Sequence, residues 1–76
     1  MKCKLLESVV LEVDLPAVGL AKGDQGTVVE LYEPDGVEVE VFNADGSTRD
    51  VFTLRASQLR RATETETKSP RPTRRR

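Results

Sequence analysis

The sequence predicts an all-β fold: a small barrel of about five short antiparallel strands over residues 1–62, followed by a disordered basic tail over residues 63–76. Three observations carry this. Glycines at 23 and 26 lead into the β-branched, apolar and aromatic run that ends at Tyr32. Pro34-Asp35-Gly36 combines a fixed φ, a local side-chain hydrogen bond and a residue tolerant of positive φ, which together make a turn. Beyond it, Val37, Val39 and Val41 alternate with Glu38 and Glu40, the period of a half-buried strand with its glutamates facing solvent.

The elements follow in order. Residues 8–13 form a first strand, closed by Asp14-Leu15-Pro16, where proline lacks the donor that a ladder needs. A loop runs from 17 to 25, anchored by Leu15, Val18 and Leu20. The second strand covers 26–33 and the third begins at Val37; Asp45-Gly46 suits a tight connection to a fourth strand over 47–54. Residues 55–59 allow one helical turn, and residues 60–62 add a short last strand. The expected core is Val9, Leu11, Val29, Leu31, Val39, Val41, Leu54 and Leu59, with the doublets Val9-Val10 and Val28-Val29 leaving the parity of the first two strands open. Gly26 and Gly36 are expected in conformations that a side chain resists, Gly36 as a left-handed residue closing its turn.

Composition narrows the chemistry. A chain of 76 residues holds one domain and has little room for a deep, dry cavity. Cys3 is the single cysteine and there is no histidine, so a disulfide staple, a closed zinc site of several thiolates and imidazole chemistry are all excluded. Leu5-Leu6 is too short for the apolar region of a signal peptide or for a membrane span, which makes the cytoplasm the expected location.

The net charge of −1 conceals an asymmetry. Residues 1–59 carry five basic and eleven acidic side chains, a net of −6, while residues 60–76 carry seven and two, a net of +5. From Thr63 on there is no large apolar side chain, so the segment cannot offset its chain entropy by burial. Arg71, Arg74, Arg75 and Arg76 are its candidate phosphate contacts; without aromatic residues to stack bases, such binding is weak, non-specific and steeply salt-dependent.

No catalytic constellation emerges. The pairs Glu38/Glu40 and Glu30/Glu33 lack the enclosed site that would perturb one carboxylate for acid or base work. Asp35, Asn43 and Asp45 match no calcium loop and are residue types that turns require. Cys3 reads as a small hydrophobe at a strand edge, and the serines lack an activating base.

The run of short motifs Lys4-Leu-Leu-Glu-Ser-Val-Val10, Asp14-Leu-Pro16, Lys22-Gly-Asp24, Gly26-Thr-Val-Val-Glu-Leu-Tyr32, Val37-Glu-Val-Glu-Val-Phe42, Asp45-Gly46 and Leu59-Arg60 resembles a family of small uncharacterised bacterial proteins, a domain-of-unknown-function family frequent in cyanobacteria. The resemblance covers residues 3–61 and implies an SH3-like barrel. Residues 22–31 are also similar to the KOW element of ribosomal and transcription-elongation proteins. KOW modules that hold RNA expose cations, whereas this stretch offers Asp24 and Glu30.

The expected function is therefore a non-catalytic protein-interaction module with no cofactor, metal, small-molecule substrate or membrane, whose acidic Asp24, Glu30, Glu38 and Glu40 meet another protein. The resemblance suggests an antitoxin- or immunity-like companion, or an accessory subunit of a larger partner. The alternative is weak, non-specific nucleic-acid binding through the basic C-terminal tail.

Overall fold

The computed structural model of the chain describes residues 2–68; the expectations for residues 69–76, Arg71, Arg74, Arg75 and Arg76 among them, lie outside the described residues. The fold is all-β, with five antiparallel strands in one barrel-like sheet. The strands are β1 (Ser8–Leu11), β2 (Gln25–Tyr32), β3 (Gly36–Phe42), β4 (Thr48–Arg55) and β5 (Leu59–Arg61), in the order β4-β3-β2-β1-β5. The β2-β3-β4 meander pairs neighbours in sequence, as the two turn signals require, and β5 returns to β1. Short 3-10 turns at Pro16–Val18 and Ala56–Gln58 lie in the long connection between the paired strands β1 and β2 and in the link from β4 to β5.

The third strand has the expected alternation: Val37, Val39 and Val41 are buried, and Glu38 and Glu40 lie on the outer face. Val9, Leu11, Leu54 and Leu59 join them, with Cys3 and Leu20 closing the core. Burial pushes the Cys3 thiol up, away from the reactive thiolate, with Glu7 adding to the effect. The second strand corrects the expected core. Val28, fully buried, takes the place assigned to Val29, and Leu31 is 40% exposed. The reason is an irregularity in the ladder: Val28 pairs with Val39, but the next pair is Glu30 with Glu38. The extra residue switches the inward parity from even to odd, so that Leu31 stands opposite Val37 at the rim of the core.

Three further expectations need correction. Val18 does not anchor the long loop: it is 50% exposed, and the loop is held by buried Leu20 and by the reciprocal Leu15–Leu20 backbone bonds of 2.9 and 3.1 Å. Neither Gly26 nor Gly36 has a left-handed φ; among the glycines positive values fall at Gly19, Gly23 and Gly46. Gly26 is needed for close approach instead, since a Cβ there would stand 2.5 Å from the Glu40 carbonyl oxygen and 2.6 Å from Val39 Cγ1. Finally, Glu64–Lys68 form a five-residue helix, α1, inside the segment expected to be disordered. Glu64 and Glu66 in its first turn complement the helix dipole. The Thr63 hydroxyl accepts the Glu66 amide at 3.2 Å, and the Glu66 carboxylate accepts the Thr63 amide at 2.8 Å, a reciprocal cap legible in the spacing Thr63-x-x-Glu66.

Candidate protein-docking face

Antiparallel pairing fixes which carboxylates meet. Glu30 stands directly opposite Glu38, and Glu38 and Glu40 are alternate residues of β3, so all three project from the outer face of the β2-β3-β4 meander. Cross-strand neighbours of this kind have Cβ atoms about 5 Å apart, which makes Glu30 and Glu38 a mutually repelling pair. The face is not uniformly charged. Tyr32, 47% exposed, donates its hydroxyl hydrogen to Glu38 Oε1, and Val51, 41% exposed, pairs in register with Glu40. The Thr48 hydroxyl donates to Glu40 Oε2 at 2.6 Å. The bond to Glu38 raises the Tyr32 phenol above its ordinary pKa, because losing the proton would place two anions together. Glu38 and Glu40 are half-buried and each accepts a hydroxyl, so two of the three carboxylates are held in defined positions, while Glu30 is exposed.

Asp24 does not belong to this face. It precedes β2, about 20 Å of extended chain from Glu30, and its carboxylate accepts the Ala21 amide at 2.9 Å and pairs with Arg49 at 3.4 Å. Arg49 also donates to the Gly19 carbonyl at 2.9 Å and to Asn43 Oδ1 at 3.3 Å, tying the long loop to the β3-β4 turn. Asp24, Asn43 and Arg49 border a pocket of about 260 Å³ with Phe42 and Gln25. The role of Arg49 went unread in the sequence, although it is the lone cation between Lys22 and Arg55.

The turn carboxylates have structural partners as well. Asp45 accepts both the amide and the hydroxyl of Ser47, at 2.9 and 2.6 Å, which holds it below the usual carboxylate range, and Asp35 pairs with Arg55 at 3.3 Å. Among the described residues no group of three metal-ligating side chains is assembled, and no helix is long and apolar enough to cross a membrane.

An apolar groove of about 350 Å³ lies beside the acidic face, walled by Leu31, Tyr32, Pro34 and Ala56, with Lys2 and Cys3 along one side. Glu33 and Asp35 are also among its lining residues.

A small all-β domain with a carboxylate-bearing sheet face is thus the class that fold and surface define. The chain belongs to the DUF4926 family, a domain of unknown function, whose model matches residues 5–61 and so takes in every strand. No curated protein and no solved structure matches it.

Proposed function

We propose that this protein is a non-catalytic interaction module, an SH3-like barrel that docks a basic protein partner on the outer face of β2-β3-β4. The observation that carries the reading is the grouping of Glu30, Glu38 and Glu40 on one face with the exposed apolar surfaces of Tyr32 and Val51. Charge steers the encounter, and an aromatic and an aliphatic side chain among the carboxylates offer surface to desolvate once contact is made. Supporting the barrel type are the β2-β3-β4 meander, the long loop between β1 and β2, the 3-10 turn before β5 and the return of β5 to β1. A companion of a basic nuclease, as an antitoxin- or immunity-like protein would be, or an accessory subunit in the cytoplasm, fits an acidic body of this size.

The test is affinity capture from the native host followed by mass spectrometry, using the wild-type chain and the triple variant Glu30→Gln, Glu38→Gln, Glu40→Gln. The expected result is a basic protein held by the wild type at low salt and lost by the triple variant. Capture that the triple variant leaves unchanged would move docking off this face. Loss of the captured material on nuclease treatment would favour nucleic acid as the partner.

A further inference from the structure

We infer that the chain associates with a second copy of itself, the Leu5-Leu6 turn of each copy entering the apolar groove of the other. This goes beyond the docking of a partner on the acidic face and does not depend on it. The argument starts from a cost that the fold accepts. Leu6 has φ +65°, in the left-handed region that a branched L side chain disfavours, and it is 77% exposed; Leu5 beside it is 57% exposed. A glycine or asparagine would meet the backbone requirement at lower cost, so neither the turn nor the core explains a leucine here. The turn is nonetheless held from several sides. The Leu6 amide donates to the Val28 carbonyl at 2.7 Å and the Val28 amide to the Glu7 carbonyl at 3.0 Å, while the Glu7 carboxylate accepts the Lys4 amide at 3.0 Å and pairs with Arg61. Strain held this firmly presents two leucine side chains in a fixed position, which lowers the ordering cost of inserting them elsewhere.

This chain itself contains a receptor of matching chemistry. The groove walled by Leu31, Pro34 and Ala56 has room for a leucine side chain, and exposed Glu33 in its lining complements exposed Lys4 beside the turn. Turn and groove lie close together, because Lys2 and Cys3, within three residues of Leu5, line the groove. A two-fold axis needs that arrangement: one patch carrying both the knob and the hole, so that each contact is made twice.

Sedimentation velocity of the full chain over a concentration series tests the proposal. The wild type should shift from monomer to dimer. Leu6→Gly should keep the fold, with an unchanged or raised melting temperature, yet weaken dimerisation at least about tenfold. Lys4→Glu and Glu33→Lys should each weaken it, and the two together should restore it. A chain that stays monomeric throughout, a dimer indifferent to Leu6→Gly, or a charge swap that fails to rescue would each overturn the proposal. Glu40→Gln should leave the dimer intact, which separates this interface from the acidic face.

Discussion

Arg60 and Glu66 meet in a two-point ion pair, Nη1 to Oε1 at 2.8 Å and Nη2 to Oε2 at 2.7 Å, and this contact docks α1 against the last strand. Arg60 stands opposite Val10 in the β1-β5 ladder, so the pair rises on the sheet face that carries Val10. The guanidinium, with the Thr63 amide, holds the Glu66 carboxyl well below the usual carboxylate range, at about 2.

The first prediction follows from that shift. A carboxylate whose folded pKa is depressed stabilises the folded form above its unfolded pKa and loses that contribution as pH falls through the folded value. Ordering of the 63–68 segment should therefore be complete at neutral pH and fade between about pH 4.5 and about pH 2, while the barrel persists further. Amide exchange or chemical shifts of residues 63–68 would report it. Glu66→Gln and Arg60→Ala should each remove the transition; a transition that survives both would assign the docking of α1 to other contacts.

A second prediction concerns the core. Val39 is 1% exposed, paired with Val28 on one side and Phe52 on the other. Val39→Asp buries a carboxylate without a partner, at a cost of several kcal/mol against a total stability of about 5–15 kcal/mol for a domain. The variant should lose its cooperative melt by circular dichroism. Glu38→Val, one residue away on the outer face, should fold and instead promote self-association by enlarging an exposed apolar surface.

A third prediction separates Gly26, the second residue of β2, from Gly36, which opens β3. Gly26→Ala drives a methyl group against the Glu40 carbonyl and Val39, a backbone and a core contact with little freedom to yield, and should cost about 1–3 kcal/mol. At Gly36 the nearest obstacle is Tyr32 Cβ at 3.1 Å, which relaxes more easily, so Gly36→Ala should cost less. Denaturant midpoints at constant slope would rank them; the reverse order would contradict the close packing of β2 on β3.

How far the sequence revealed this molecule depends on the kind of signal each part carries. β3 was legible because valine and glutamate alternate without a break, and the hairpins were legible because turn residues bound them. The parity of β2 was not, because a ladder irregularity changes the inward face partway along a run whose side chains are apolar on both sides, and no periodicity can locate it. The same switch brings Glu30 opposite Glu38: with even residues inward throughout, Glu30 would have faced the core. Three of the four acidic candidates consequently fall on one face, while Asp24 is committed to Arg49, a pairing across 25 residues that sequence spacing does not encode. The left-handed turn at Leu6 was not legible either, since positive φ at a leucine has no composition signature.

The last prediction uses Tyr32 as a reporter of the acidic face. The chain has one tyrosine and no tryptophan, so its near-ultraviolet absorbance change on phenol ionisation belongs to this residue alone. Because the hydroxyl donates to Glu38, the folded pKa is raised above the ordinary phenol value. A group whose folded pKa is raised contributes stability below its unfolded pKa, and that contribution disappears as pH rises through the folded value, so a spectroscopic titration should place the midpoint above 10, the ordinary value. Glu38→Gln should bring it back toward that value by removing the anion, and Glu30→Gln should lower it by less, since Glu30 acts only through space. A wild-type midpoint at or below the ordinary value would mean that Tyr32 and Glu38 are apart in solution, and with them one of the fixed points of the proposed docking face.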